Sequence, residues 1–183
     1  MLNTKRCNLR LMIQYDVKAV HKLHILEEVD RYNTLGIPES LETTVDVLSS
    51  WIKKIDDREF HGFIIENIIT KEFIGIIGLQ LGNSKFKRGE VWYKLMPEQW
   101  RKGFGTEVTQ EIIRFGFAKL NLHRIEAGCA CDNIGSIRVL EKSGFVREGR
   151  KRKVLPLKSG WSDGYDYGLL REEWQVNTIK KER

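Results

Sequence analysis

The chain has 183 residues, of which 41% are hydrophobic and 31% are charged, and these values are ordinary for a globular protein with a full core. The formal net charge of +6 favours a polyanionic partner, such as a phosphate-bearing molecule, an acidic protein or a nucleic acid. No apolar run is long enough to span a membrane, and residues 1–7 lack the apolar stretch of a secretory signal, so we expect a cytoplasmic protein without membrane contact.

The hydrophobic pattern switches between the periods of strands and helices, which predicts a mixed α/β fold. In chain order, the predicted elements are a strand at 9–13, a helix at 16–27, a helix at 43–55, a strand hairpin at 63–67 and 73–79, a strand at 88–95, a helix at 106–120, a strand at 123–130, a helix at 133–142, and strands at 145–153 and 164–170. No repeat or linker interrupts them. We therefore expect one domain over residues 1–175, followed by a polar tail at 176–183.

Two local predictions concern the first helix. Asp16 precedes its apolar positions and is a residue type that caps helix N-termini. His21 and His24 are three residues apart on that helix, so we expect them to share a solvated face. No histidine set has the spacing of metal ligands.

The three cysteines, Cys7, Cys129 and Cys131, are an odd number and form no disulfide framework. Cys129 and Cys131 have no second ligand pair nearby, so we expect no metal site. We interpret these cysteines as buried strand thiols.

A glycine-rich turn, Arg101–Glu107, lies between a predicted strand and a predicted helix. Such a turn directs successive backbone N–H groups into one concavity, and the helix dipole adds to the field there. Gly103 and Gly105 permit backbone angles and a close approach that a side chain would block. The turn is therefore suited to bind a pyrophosphate.

Two common phosphate-binding motifs do not fit this turn. A dinucleotide fingerprint needs a third glycine where Val108 stands, and a P-loop needs Lys-Ser or Lys-Thr after Gly105. The phosphate-bearing cofactor is therefore expected to be of another kind.

Four segments together resemble the Gcn5-related N-acetyltransferases (GNAT), and within them the branch that acetylates the N-termini of ribosomal proteins. These segments are Leu9–Leu11, Pro97–Glu107, Asn133–Phe145 and Gly164–Trp174. The resemblance implies a central, mostly antiparallel sheet with one splayed strand pair and flanking helices. It also implies acetyl-CoA as cofactor, CoA as product, and direct attack by a primary amine, most simply the α-amino group of a protein.

The resemblance further implies which residues contact acetyl-CoA. The expected cofactor-binding residues are Leu95, Met96, Arg101, Lys102, Gly103, Phe104, Gly105, Thr106, Asn133, Ser136, Arg138 and Lys142. Backbone amides near Leu95 and Met96 are expected to pair with the pantetheine arm and polarise the thioester carbonyl. The sequence departs from the wider superfamily at Trp100, where Gln or Arg is frequent, and at Leu140, where many members carry a Tyr that protonates the leaving thiolate.

The chemistry needs a base, because an alkyl amine is mostly protonated at neutral pH. Glu90 is the candidate general base, with a strand-edge ion pair as the alternative role. Ser136 is the candidate acid in place of the missing Tyr, with an ordinary first-turn serine as the alternative. Trp51 and Tyr93 are candidates for the acceptor pocket, or for the core. Asn133 either binds the cofactor or caps its helix, and Asp132 competes for the cap.

Three other readings remain open. In the first, the acceptor is a small molecule, such as an amino acid, a polyamine or an aminoglycoside. In the second, the protein is a non-catalytic CoA-binding regulator. In the third, the basic run at 147–153 binds RNA. That run lacks interleaved stacking aromatics, so no nucleic-acid partner is expected. A homodimer is common among such proteins, but nothing in the sequence requires one.

Overall fold

The computed structural model describes residues 1–181 and the side chains of residues 1–176. One eight-stranded sheet has the order β1-β2-β3-β4-β5-β6-β8-β7. Its strands are β1 (Leu2–Asn3), β2 (Cys7–Leu11), β3 (Phe60–Asn67), β4 (Phe73–Leu81), β5 (Arg88–Leu95), β6 (Arg124–Ala130), β7 (Val146–Leu157) and β8 (Gly160–Leu170). The helices are α1 (Val17–His24), α2 (Glu27–Asp30), α3 (Leu41–Asp56), α4 (Phe104–Ala118), α5 (Ile134–Lys142) and α6 (Arg171–Lys181).

The expected mixed α/β fold with a mostly antiparallel sheet is confirmed. Among the described residues, only β5 and β6 run parallel, and their register covers three pairs, from Arg88↔Arg124 to Glu90↔Glu126. Beyond Glu90, no ladder of backbone hydrogen bonds joins the two strands within the described part of the chain. The pair is therefore splayed, because β5 stays on β4 up to Leu95 while β6 stays on β8 up to Ala130.

Helices cover both faces of the sheet and enclose two clusters of buried side chains. On one face, α4 packs Val108, Ile112 and Phe117 against the strands. On the other face, α1 and α3 pack Leu23 and Leu48 against the strands. Because alternate residues of a strand point to opposite faces, each functional side chain of β5 belongs to one of these two sides.

The first helix differs from its prediction. Residue Leu26 is extended, with φ −77° and ψ 121°, and separates α1 from α2. Asp16 is not a side-chain cap. Its buried carboxylate instead accepts hydrogen bonds from the Arg10 guanidinium at 2.6 and 2.9 Å and from the Ile13 N–H at 2.8 Å. The ion pair with Arg10, six residues earlier in the chain, thus uses the carboxylate that would otherwise cap α1.

The prediction of a solvated histidine face on α1 is wrong. His24 is 2% exposed and makes an edge contact with Trp51, with ring centroids 5.8 Å apart. His21 Nδ1 lies 2.7 Å from Thr44 Oγ1. Both histidines face α3, because α1 packs against that helix.

The cysteine prediction holds for two of the three positions. Cys7 and Cys129 are buried, and Cys131 is intermediate. Burial raises the pKa of Cys7 and of Cys129 to about 11 in each case. Both thiols therefore stay protonated at neutral pH, which makes them poor nucleophiles.

The last two strands form a longer hairpin than expected. β7 continues to Leu157 and β8 already begins at Gly160. The basic run at 147–153 lies on β7, the edge strand, and forms ion pairs within the hairpin, such as Arg150–Asp163 and Lys151–Asp166. Charged side chains at a sheet edge oppose edge-to-edge association.

The expected tail at 176–183 begins inside α6, and residues 182 and 183 lie outside the described residues. Within the described part of the chain, no helix is both long and apolar enough to cross a membrane.

Candidate active site

The splayed ends of β5 and β6 leave backbone groups of β5 unpaired. Met96 N–H donates to Ile74 O at 2.9 Å, and Lys94 is paired with Ile76 two residues earlier. Because ladder bonds alternate along an antiparallel strand, the N–H groups of Tyr93 and Leu95 point away from β4, into the gap. Leu95 N–H is therefore free to polarise a carbonyl there, whereas Met96 N–H is already used.

Trp100 explains how this strand end is held. Its indole Nε1–H donates to Leu95 O at 2.8 Å. Because the N–H and C=O of a strand residue point to the same side, the indole lies beside the gap and holds the end of β5. Trp100 thus has a structural role at a position where the wider superfamily often has Gln or Arg.

The glycine-rich turn at 101–107, called the cofactor loop below, connects a strand to a helix as its sequence predicts. Arg101 and Gly103 take left-handed conformations, with φ 59° and 84°, and α4 begins at Phe104. Successive N–H groups in such a turn, followed by a helix N-terminus, form an anion-binding concavity. Arg101 and Lys102 are exposed beside it.

Gly105 also contributes to packing. It is helical and buried, and a Cβ there would lie 3.1 Å from Val139 Cγ2 and 3.5 Å from Leu95 Cδ1. Its small size lets α4 approach α5 and β5 closely, which is a packing role besides the one expected of its backbone. A large residue at 105 would therefore disturb the core.

Arg6 and Glu107 brace the cofactor loop, and the sequence patterns did not reveal this. The Arg6 guanidinium donates to Lys102 O at 3.0 Å and to Glu107 Oε2 at 2.7 Å, and it lies 4.2 Å from the Phe104 ring centroid. Glu107 Oε1 accepts from Thr4 Oγ1 at 2.6 Å and from Arg6 N–H at 2.8 Å. These contacts could not be predicted from local sequence patterns, because the partners lie about a hundred residues apart.

We expect Glu107→Gln to lower the free energy of unfolding by about 1–2 kcal/mol at pH 7, the scale of lost charge-assisted hydrogen bonds. Burial alone would raise the pKa of Glu107, but the bonds from Thr4 and Arg6 outweigh it and hold that pKa below 4.5. The stabilisation is thus present above the unfolded-state pKa and is lost as the pH falls through the folded-state value.

Urea unfolding of wild type and Glu107→Gln at pH 7 and at acid pH checks this expectation. The difference between the two proteins should shrink at acid pH. The matched control is Glu39→Gln, at an exposed position. An equal difference at both pH values would contradict the ionic brace.

Ser136 lies at the start of α5 in a small polar cluster. Asn133 Oδ1 accepts the Ser136 N–H at 3.0 Å, so Asn133 rather than Asp132 caps α5. Tyr93 Oη lies 2.9 Å from Ser136 Oγ. Burial is the largest influence on the Tyr93 phenol and raises its pKa, with the Ser136 bond opposing. A neutral phenol therefore orients the serine hydroxyl.

Tyr93 consequently does not lie with Trp51. The Tyr93 ring packs in the cluster on the α4 side of the sheet. Trp51 belongs to the opposite cluster and contacts Trp92, with ring centroids 5.1 Å apart, and Phe60, at 6.4 Å. Trp51, on α3, is therefore a packing residue between that helix and the sheet.

Glu90 is exposed and ends the paired part of β5 and β6. By strand alternation it shares a face with Trp92 and Lys94, the face covered by α1 and α3. It has no ion pair within the described part of the chain, so the strand-edge pair considered for it does not form.

Arg138 and Lys142 are exposed on α5.

Comparison with known proteins agrees with this geometry. A GNAT acetyltransferase domain model matches residues 6–146. The uncharacterized N-acetyltransferase YnaD of Bacillus subtilis (strain 168) is 42% identical over 175 residues, which cover 94% of this chain and 98% of that protein.

Two solved structures share the fold. The spermidine N-acetyltransferase from Vibrio cholerae, in complex with CoA and spermine, superposes with a TM-score of 0.83 at 24% identity, covering 92% of this chain and 98% of that one. The ribosomal-protein-S5-alanine acetyltransferase from Vibrio fischeri gives 0.81 at 22% identity, covering 94% and 97%. With a family model over most of its length and these relatives, the chain belongs to the GNAT family and is an N-acetyltransferase.

Proposed function

We propose that the protein transfers the acetyl group of acetyl-CoA to the α-amino group of a protein N-terminus by direct attack, using a single domain over residues 1–175. The observation that carries the proposal is the gap between β5 and β6. It brings the free Leu95 N–H, the Tyr93–Ser136 pair and the loop at Gly103 to one end of the sheet.

The residues present fit a CoA-type cofactor. The turn at 101–106 offers backbone N–H groups to the pyrophosphate, and the exposed side chains of Arg101, Lys102, Arg138 and Lys142 supply positive charge for the phosphates. The Asn133 amide nitrogen is a donor for the pantetheine arm. When bound, acetyl-CoA supplies the thioester carbonyl that the amine attacks.

The remaining steps need only side chains of this chain. Glu90, directly or through water, accepts the proton that the amine must lose. Leu95 N–H stabilises the charge that develops on the carbonyl oxygen. Ser136 Oγ, oriented by the Tyr93 phenol, gives a proton to the leaving sulfur. Direct attack fits the two high-pKa thiols, because neither supplies a nucleophile.

A small-molecule amine is the second candidate acceptor. The observation that favours it is the likeness to a spermidine N-acetyltransferase, which shares the fold at 24% identity. A non-catalytic CoA-binding regulator is the third reading. It would bind CoA and release no thiol with any amine, and Glu90→Gln would change nothing measurable in it.

The first experiment is a calorimetric titration with acetyl-CoA, followed by thiol release with a panel of amines. The panel contains peptides with N-terminal alanine or serine, free alanine, spermidine and an aminoglycoside. We expect micromolar acetyl-CoA binding and the highest kcat/KM with a peptide. Absence of binding would overturn the acetyltransferase proposal, and preference for a small amine would overturn the acceptor.

A further inference from the structure

A basic cavity lies beside the turn that ends β6. Its volume is about 940 Å³, and its walls are that turn and the β7–β8 hairpin. The charged side chains of its lining are four basic residues and two acidic ones: Arg150, Lys151, Arg152, Lys153, Asp132 and Asp163. The formal excess of two positive charges favours an anionic occupant.

A bulge in β7 shapes this cavity. Opposite Asp163, residues 152–154 form an irregularity in the ladder, and Lys153 within it takes the left-handed conformation, with φ 50°. The Asp163 carboxylate holds the bulge, because it accepts the Lys153 N–H at 2.9 Å and Arg150 Nε at 2.9 Å. Bulges re-aim side chains next to functional sites, and this one presents its side chains on a fixed backbone.

Two of the four basic side chains keep their charge available to a ligand. Arg150 and Lys151 are paired with carboxylates of β8. Lys153 Nζ donates only to a neutral group, Trp161 O, at 3.1 Å. The Arg152 guanidinium has no ion pair or hydrogen bond within the described part of the chain. Arg152 and Lys153 are both exposed, so a carboxylate arriving from solvent can reach them.

The turn after β6 joins the cavity to the polar cluster of Ser136. Cys131 and Asp132 line the cavity, and the Cys131 N–H donates to Asp163 O on the hairpin at 3.0 Å. The next residue, Asn133, caps α5 and accepts the Ser136 N–H. The cavity therefore borders the end of β6 at which the gap between β5 and β6 opens.

The cavity lies apart from the cofactor loop. Among the described residues, its lining includes none from 101–107. It adjoins the region of α2 instead, since Ser159 lines it together with a smaller cavity beside that helix. The Tyr32 hydroxyl, just after α2, also donates to Asp132 O at 3.1 Å. A molecule in the cavity thus does not compete with the phosphates of acetyl-CoA.

We propose that this cavity binds the acceptor chain beyond its reacting N-terminus, and that the acceptor carries aspartate or glutamate there. Arg152 and Lys153 are the specificity-determining residues, because their charges meet these carboxylates. This inference rests on the proposed function and names its substrate class, which is protein N-termini followed by acidic residues. Four extended residues span about 13 Å, the length scale of a cavity of this volume.

An acidic peptide suits the cavity better than RNA does. Sites for single-stranded nucleic acid combine positive charge with several stacking aromatics. Trp161, which is 62% exposed, is the single aromatic residue that the described part of the chain contributes to the lining. Trp and Arg are frequent anchors of protein interfaces, and the position next to the Ser136 cluster is where a substrate chain would leave the gap.

The test uses two peptides that start with alanine and differ only at the third to sixth residues, which are glutamate in one and glutamine in the other. It compares wild type with Arg152→Gln/Lys153→Gln, which removes both charges and keeps polar side chains. The matched control is Lys53→Gln/Lys54→Gln, the same change in net charge at exposed positions on α3. Thiol release gives kcat and KM. Calorimetry with the N-acetylated form of each peptide, in the presence of CoA, measures binding without turnover.

In wild type we expect kcat/KM to be about tenfold higher for the glutamyl peptide, since exposed ion pairs are individually weak but several act together. The difference should lie in KM, because these contacts are the same in the ground and transition states. It should shrink as salt is added. In Arg152→Gln/Lys153→Gln the preference should fall below about twofold, whereas the control should keep it. Both variants should keep the wild-type Tm, because the replaced side chains are exposed.

The other outcomes separate the inference from the proposed function. Equal kcat/KM and equal affinity for the two peptides in wild type would overturn the acidic acceptor and leave the acetyltransferase proposal standing. A glutamyl preference that survives in Arg152→Gln/Lys153→Gln would overturn the role of these two residues. A wild type that acetylates a small amine and neither peptide would overturn the protein acceptor, and the inference with it.

Calorimetry with a uridine oligonucleotide decides the remaining alternative. Oligonucleotide binding that disappears in Arg152→Gln/Lys153→Gln, together with no preference between the two peptides, would assign the cavity to RNA and overturn the inference. Absence of oligonucleotide binding, together with the glutamyl preference, would support it.

Discussion

Replacing Ser136 with alanine is expected to lower kcat by about 100-fold or more, the usual contribution of a positioned general acid, while the Kd of acetyl-CoA changes little. The reason is that Ser136 Oγ meets the Tyr93 phenol at 2.9 Å and its backbone N–H is fixed by Asn133. The hydroxyl is therefore held in one place, and only its proton donation is lost. Single-turnover kinetics and calorimetry with acetyl-CoA measure the two quantities separately.

Tyr93→Phe separates positioning from proton donation. It leaves Ser136 in place but removes its partner, so we expect a smaller loss, of about tenfold in kcat, with KM nearly unchanged. In the double variant the two losses should not add, because both act through one hydroxyl. Ser84→Ala, an exposed serine near the start of β5, is the control. Additive losses would contradict the shared role.

Reversing the charges of Arg101 and Lys102 in one variant, Arg101→Glu/Lys102→Glu, is expected to weaken acetyl-CoA binding by about 100-fold. Two lost charge-assisted contacts to phosphate, with repulsion in their place, cost about 3 kcal/mol. Both side chains are exposed, so the fold should be retained. Calorimetric titration measures Kd, and the residual affinity should depend less on salt than in wild type.

The matched control is Lys53→Glu/Lys54→Glu, which makes the same change in net charge on the exposed end of α3. It should keep the wild-type Kd within about twofold, because exposed charges beyond the Debye length are screened. If both variants lose the same affinity, the effect is one of overall charge, and the side chains beside the loop do not contact the phosphates.

Most strands and the glycine-rich turn were predictable because their signals are local. The two-residue β1 was not predicted, and β2 begins at Cys7 rather than at the predicted residue 9. The range predicted for β5, residues 88–95, agrees with the structure. Val91, Tyr93 and Leu95 recur at the strand period of two, and Pro97 ends the pattern. The left-handed Gly103 was predictable for the same reason.

What the sequence could not reveal depends on side-chain packing that local patterns do not specify. Asp16 has the composition of a cap, yet Arg10 takes its carboxylate. His24 has the spacing of a solvated face, yet α3 covers it. Lys94 has the sequence context of an ordinary strand lysine, yet its Nζ is buried on the face covered by α1 and α3. Each outcome is set by tertiary packing that no local pattern contains.

The bonds that join Arg6 and Thr4 to Glu107 tie the beginning of the chain to the first turn of α4. The loop at 101–106 and the edge of the sheet at β1 and β2 should therefore open in one cooperative event rather than separately. Whatever orders the loop also stiffens the edge strand, and whatever loosens the edge strand weakens the loop. Residues far from any reacting atom thus help to determine how long a bound cofactor stays.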